Sequence, residues 1–188
     1  MNESHIIDCV NKAKNGIEKY RNIQNTFRST DVSVNIEFQT RFNHFYRVRQ
    51  KNKNWYSYYY CLMEDLKRKS SPDFQYIIKS LFENGSSLEA SFSSKMLATL
   101  NTDMPVWDKF VLNNLKIKPP SYNHKERMAL TIHAYSKICN WYKEYVHTEK
   151  GRMIISIFND QISNYNEFSN TKKIDFVLWQ NRSDLELY

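Results

Sequence analysis

The sequence is poor in glycine, proline and cysteine, and each shortage excludes a class of protein. Three Gly and four Pro in 188 residues argue against many-turned sandwiches and barrels, and against glycine-rich loops that bind nucleotide phosphates. Three cysteines, odd in number and far apart, predict neither a disulfide framework nor a structural zinc site. No apolar run approaches the ~18 residues of a membrane span, and the first residues do not resemble a signal peptide. We therefore expect a cytoplasmic protein that does not enter a membrane.

The chain is rich in aromatic residues and carries an excess of positive charge. Hydrophobic residues make up 41% of the sequence and aromatic residues 15%, which is enough to fill a core. The formal net charge is +7, and most of it lies in residues 1–70, where 13 Lys and Arg face 7 Asp and Glu. A polyanionic partner fits this charge balance.

Apolar residues recur at spacings of three and four along most of the chain, which is typical of helices. The clearest stripe predicts a long first helix and consists of Ile6, Val10, Ala13, Ile17, Tyr20 and Ile23. No segment alternates convincingly with the period of two that a strand needs. The pattern predicts an all-α protein of eight or nine helices, forming a single compact domain over residues 1–188.

Three local signals predict where helices begin and end. Asn84-Gly85 should stop the fourth helix, because glycine accepts the left-handed conformation found at helix ends. Ser86 with Glu89, and Asn123 with Glu126, have the spacing of capping boxes, which predict the starts of two further helices.

A cluster of basic side chains lies beside a cluster of aromatic ones. The basic residues are Arg41, Arg47, Arg49, Lys51 and Lys53, and the aromatic residues are Tyr46, Trp55, Tyr58, Tyr59 and Tyr60. One interpretation is a nucleic-acid surface, in which cations meet phosphates and rings meet bases. The other is an aromatic core stripe edged by ordinary solvated charges.

Chemistry is concentrated in the segment 86–115, at Lys95 and Asp108. Lys95 lies among Phe92, Met96 and small serines, and burial among such side chains favours the neutral, nucleophilic form of an amine. Asp108 follows a proline at the expected start of a helix, where free amides hold a carboxylate ionised. Together a nucleophilic amine and a fixed carboxylate suit attack at the anomeric carbon of a sugar.

The same segment resembles a known family. Phe-Ser-Ser-Lys-Met-Leu-Ala-Thr-Leu-Asn (92–101) followed by Met-Pro-Val-Trp-Asp (104–108) is similar to the Lys…Pro-x-x-Asp core of the 8-oxoguanine DNA glycosylase-like group in the HhH-GPD superfamily. Lys-Lys-Ile-Asp-Phe-Val-Leu-Trp-Gln (172–180) resembles the closing helix of small bacterial members. In place of the superfamily's glycine-rich hairpin this chain has Glu89-Ala-Ser-Phe-Ser, so the hairpin is degenerate.

The resemblance implies a fold, a reaction and a set of site residues. Lys95 would form the Schiff base and Asp108 would stabilise positive charge on the sugar. Side chains expected to contact the substrate are Phe92, Trp107, Trp179 and Gln180. The implied activity is a base-excision repair glycosylase and AP lyase, acting on an oxidised purine such as 8-oxoguanine in double-stranded DNA, with no metal or cofactor. The alternative is a non-catalytic helical module on the same scaffold, which binds nucleic acid or another protein.

Overall fold

The computed structural model describes residues 1–69, 72–85 and 87–181. Within these ranges the chain forms nine α-helices, one 3-10 helix at Tyr165–Glu167 and no strand, which confirms the all-α prediction. The α-helices are α1 Glu3–Ser29, α2 Ile36–Tyr46, α3 Lys53–Lys67, α4 Phe74–Gly85, α5 Ala90–Leu100, α6 Lys109–Asn114, α7 Arg127–Tyr145, α8 Glu149–Gln161 and α9 Asn170–Gln180. No helix among the described residues is long and apolar enough to cross a membrane.

The chain divides into two compact units. Unit 1 consists of Met1–Lys14 and Asn101–Tyr188, and unit 2 of Asn15–Leu100. The first helix contributes residues to both.

Unit 2 has a core of aromatic rings. Helices α3, α4 and α5 pack on one another. Phe42 on α2 lies near three tyrosine rings, with centroid distances of 4.8 Å to Tyr46, 6.1 Å to Tyr59 and 6.0 Å to Tyr60. The tilted and edge-on arrangements match the preference of aromatic quadrupoles.

Unit 1 is built around α9, which packs against α6 and α8. Phe158, Phe168 and Phe176 form a triangle of rings with centroids 5.7–6.2 Å apart. An N-terminal and a C-terminal segment of the unit meet at His5, whose Nε2 forms a 2.9 Å hydrogen bond with Asn181 Oδ1.

Polar side chains define several of the helix starts. Asn35, Asn52, Asp108, Thr148 and Ser169 each accept a hydrogen bond from a backbone N–H of the following first turn. Such caps satisfy amides that have no partner inside the helix.

One predicted helix signal is confirmed in its position but not in its cause, and another is wrong. The fourth helix ends at Gly85, as Asn84-Gly85 predicts, but none of the three glycines, all of which the structure describes, has a positive φ. Asn123 and Glu126 do not form a capping box: α7 begins at Arg127, and the Glu126 side chain caps nothing. The Glu126 N–H donates instead to His124 Nδ1, at 3.1 Å, because the chain turns tightly before this helix. Ser86, half of the other expected capping box, lies outside the described residues.

Candidate functional site

Lys95 lies on α5, a helix that is buried almost all round. Seven consecutive residues, from Ser93 to Thr99, are buried, since small side chains on this helix let neighbouring helices approach closely. Lys95 is only 8% exposed, and its Nζ lies 5.3 Å from the centre of the Phe92 ring. This placement is a cation–π geometry.

Two further residues lie against the Phe92 ring: Lys51, in the loop before α3, and Trp55, on α3. Lys51 Nζ lies 5.7 Å from the Phe92 centroid and 5.4 Å from that of Trp55, and the Trp55 and Phe92 rings pack edge to face at 5.5 Å. We call Lys51, Trp55, Glu89, Phe92 and Lys95 the Phe92 cluster. It brings two amines to a single aromatic ring.

Glu89 is the carboxylate of this cluster. Its side chain forms an ion pair with Lys51, and both side chains are largely buried. Glu89 is therefore not an isolated negative charge, and Lys51 already has an ion-pair partner within the unit.

Trp55 contributes a buried hydrogen-bond donor to the cluster. The indole stacks on Tyr59 with ring centroids 4.9 Å apart, and the Tyr59 hydroxyl donates to the Phe92 carbonyl at 3.0 Å. Trp55 Nε1 is buried and has no acceptor among the residues that the structure describes. Most buried donors in proteins have a partner, and Gly85 packs directly against this N–H.

The remaining predicted basic residues lie on the surface of unit 2. Arg47, Arg49 and Lys53 are exposed, and within the described ranges their side chains form no ion pair. Arg47 ends α2 in the left-handed conformation, with φ 54°. We call these three residues the basic turn. Arg41, within α2, forms an ion pair with Glu37.

The aromatic residues next to the basic turn belong to the core. Tyr46, Trp55, Tyr59 and Tyr60 are all buried, and Tyr58 is half-buried. The core interpretation of this stripe is confirmed, because buried rings cannot stack on nucleic-acid bases.

Asp108 lies in unit 1, at the start of α6. Its Oδ1 accepts from the Phe110 N–H at 2.8 Å, which is the capping role that the sequence predicts. Trp107, next to it, is buried.

Asp175 on α9 is the centre of a second polar group in unit 1. Its Oδ2 accepts from Lys172 Nζ at 2.8 Å, and its Oδ1 from the Tyr142 hydroxyl at 3.1 Å. Burial, followed by the charge of Asp175, raises the pKa of Tyr142 well above its ordinary value, and Asp108 contributes in the same direction. Asp108 is therefore close enough to Tyr142 for its charge to act on the tyrosine hydroxyl.

Trp179 and Gln180, at the end of α9, are half-buried. The neighbouring Lys173 is buried, and its Nζ donates to Asn159 Oδ1 at 2.8 Å and lies 5.0 Å from the Tyr165 centroid. Loss of hydration lowers the pKa of Lys173.

The chain matches no protein-family model, no curated protein and no solved structure.

The predicted site residues fall into two groups. Lys95 and Phe92 lie together in unit 2, whereas Trp107, Asp108, Trp179 and Gln180 belong to unit 1. Among the described residues no group of three His, Cys, Asp or Glu side chains is arranged to hold a metal ion.

Sequence reasoning missed the pairing of Lys51 with Glu89 and the buried amine of Lys173. The two partners of the ion pair are 38 residues apart, and no local pattern joins them. A signal for Lys173 exists: it is next to Ile174 and four residues before Val177, at the helical spacing of the apolar stripe of α9.

Proposed function

We propose that the protein is a DNA glycosylase with AP-lyase activity, acting on an oxidised purine such as 8-oxoguanine, with Lys95 as the attacking amine. The observation that carries this proposal is the burial of Lys95 against the Phe92 ring. An amine removed from water has the setting of a nucleophile. The proposal also uses the family resemblance of residues 92–108.

The chemistry needs only side chains and water. The neutral Lys95 amine attacks C1′ of the damaged nucleotide, and the bond from C1′ to the purine breaks with its electron pair leaving on the base, which takes up a proton. Opening of the sugar gives an imine between Nζ and C1′. Loss of a C2′ proton then expels the 3′ phosphate and cleaves the strand.

Other members of the Phe92 cluster have roles in binding a base that has been rotated out of the duplex. The Phe92 ring, which is half-buried, offers an apolar surface for the base. Glu89 neutralises Lys51, which removes the repulsion that a lone carboxylate would exert on phosphate. Asp108 belongs to unit 1, and its role as the stabiliser of the cationic sugar is supported by the family resemblance alone.

Borohydride trapping tests the proposal. Wild-type protein is incubated with an abasic duplex and with an 8-oxoguanine duplex in the presence of borohydride, which reduces a Schiff base to a stable covalent adduct. We expect Lys95→Gln to abolish the adduct. Lys79→Gln, at an exposed lysine of α4, should leave the adduct unchanged.

Lys173→Gln is the decisive comparison, because Lys173 is a second buried amine. If Lys173→Gln abolishes trapping and Lys95→Gln does not, the assignment of Lys95 is wrong. If wild-type protein gives no adduct on either duplex, the enzymatic proposal fails.

A second candidate function is a non-catalytic nucleic-acid-binding module. The basic turn favours it, since Arg47, Arg49 and Lys53 are exposed and carry no ion-pair partner among the described residues. Duplex binding through a few phosphates should weaken with salt at a log–log slope of about −0.9 per contact. Replacing these three residues by Glu should remove most of the duplex binding, whether or not the protein forms a covalent adduct with DNA in borohydride.

A further inference from the structure

A pocket in unit 1 is lined by residues that belong neither to the Phe92 cluster nor to the basic turn. It has a volume of about 290 Å³ and lies between the turn that follows α6 and one face of α7. Its lining residues are Lys116, Ile117, Lys118, Pro120, Leu130, His133, Ala134 and Lys137. The volume is close to the lower end of the range for small-molecule sites, ~300–1,000 Å³, which suits one nucleotide unit.

The lysines that line this pocket make it positively charged. Three lysines line it, and no acidic side chain does so among the described residues. Lys118 and Lys137 are exposed and form no ion pair or hydrogen bond with any residue that the structure describes. Two cations without carboxylate partners, beside Leu130 and Ile117, favour a ligand that combines negative charge with an apolar surface.

The pocket is the centre of a longer basic stretch. Residues 109–137 contain six Lys and Arg against one Glu, although residues 71–188 as a whole are nearly neutral. Association with a polyanion is driven by such local concentrations of charge.

An exposed aromatic side chain stands next to the pocket in sequence. Tyr122 is 81% exposed and follows Pro120 by two residues, so their Cα atoms are at most ~7 Å apart. Arg127, at the start of the pocket-lining helix, places its guanidinium 4.6 Å from the Tyr122 ring centre. A flat ring with a cation on one face leaves the other face for a nucleic-acid base.

We infer that this pocket and Tyr122 bind single-stranded nucleic acid, with Lys118 and Lys137 on backbone phosphates and Tyr122 stacked on an unpaired base. The inference does not depend on the proposed glycosylase chemistry, since none of these residues belongs to the Phe92 cluster or the basic turn. A single strand is the class of partner that offers both a line of phosphates and free base faces.

Fluorescence anisotropy of a labelled oligothymidylate tests the inference. Lys137→Glu is compared with Lys143→Glu, because both lysines are exposed on α7 and both substitutions change the charge equally, but Lys143 does not line the pocket. We expect Lys137→Glu to weaken binding about tenfold and to reduce the magnitude of the salt slope by about 0.7, the value for one phosphate contact on a single strand. Lys143→Glu should change affinity less than twofold.

Tyr122→Ala and two other ligands separate the partner classes. Tyr122→Ala should weaken oligothymidylate binding about tenfold, as loss of one stacked base does, and should not affect heparin, a polyanion without bases. Equal losses for Lys137→Glu and Lys143→Glu, or no loss for Tyr122→Ala, would overturn the inference. So would binding of thymidine monophosphate as tight as that of the oligonucleotide, which would indicate a small-molecule site. Unchanged circular dichroism shows that each variant remains folded.

Discussion

Gly85 lies directly against the indole ring of Trp55. A Cβ added at Gly85 would be 2.8 Å from Trp55 Cδ1 and 3.0 Å from Trp55 Nε1. The glycine is therefore required by close packing and not by its conformational freedom, which corrects the interpretation of the Asn84-Gly85 pair.

Gly85→Ala should destabilise the protein. The ring of Trp55 is held by stacking on Tyr59, so the clash is not relieved by a small side-chain rotation. Overpacking of this kind costs about 1–3 kcal/mol, which exceeds the gain of up to ~1 kcal/mol from replacing a helical glycine. Urea denaturation measures the difference. Gly16→Ala is the control: apart from its own helix backbone, nothing lies within 4 Å of its added Cβ, so the same change should stabilise α1.

Glu89→Gln should cost more stability than Glu37→Gln. Both substitutions remove a carboxylate from an ion pair, but the side chains of Lys51 and Glu89 are 20% and 15% exposed, whereas those of Arg41 and Glu37 are 52% and 70% exposed. We expect a loss of about 1–2 kcal/mol for the Lys51 pair, since its unpaired amine would remain largely buried, and less than ~0.5 kcal/mol for the exposed pair. Equal losses would show that burial of the pair has no energetic consequence.

Asp108 has a capping role and a proposed chemical role, and two substitutions separate them. Asp108→Ala should lower the free energy of unfolding by about 1 kcal/mol, whereas Asp108→Asn keeps the cap and should change it little. If the carboxylate also stabilises the sugar cation, Asp108→Asn should slow base excision about a hundredfold, or ~3 kcal/mol. An Asn variant with wild-type rate would restrict Asp108 to capping.

Stability should fall with pH above about 10, and Tyr142 should account for part of the slope. Burial raises the pKa values of Tyr59, Tyr135 and Tyr142 well above the ordinary value. Above pH ~10 the unfolded chain loses the proton of each tyrosine while the folded chain keeps it, so each buried tyrosine lowers stability by about 1.4 kcal/mol per pH unit.

Tyr142→Phe should remove that contribution from the slope, as measured by urea denaturation between pH 9 and pH 11. Between pH 6 and pH 8, where Tyr142 ionises in neither the folded nor the unfolded state, the same substitution should leave the slope unchanged. A slope unaffected by Tyr142→Phe would mean that Tyr142 ionises without unfolding.

The sequence predicted the helices well because they depend on local periodicity. Ile6, Val10 and Ile17 are all buried in the first helix, as their spacing indicates. The site was harder to predict, since it depends on contacts between distant segments. The sequence alone groups Lys51 with solvent-facing cations, because nothing near it in sequence indicates Glu89. The net charge of residues 71–188 likewise does not indicate the positively charged pocket, because acidic residues elsewhere in that range balance its lysines.

The hydrogen bond between His5 and Asn181 has a consequence for the order of folding during synthesis. Unit 1 takes its residues from both sides of unit 2, so the helix segment before Asn15 must leave the ribosome long before its partners in unit 1 exist. At ~5–20 residues per second, the 86 residues of unit 2 delay those partners by roughly 4–17 s. During that interval Ile6 and Val10, which are buried in the folded protein, are exposed apolar side chains of the nascent chain.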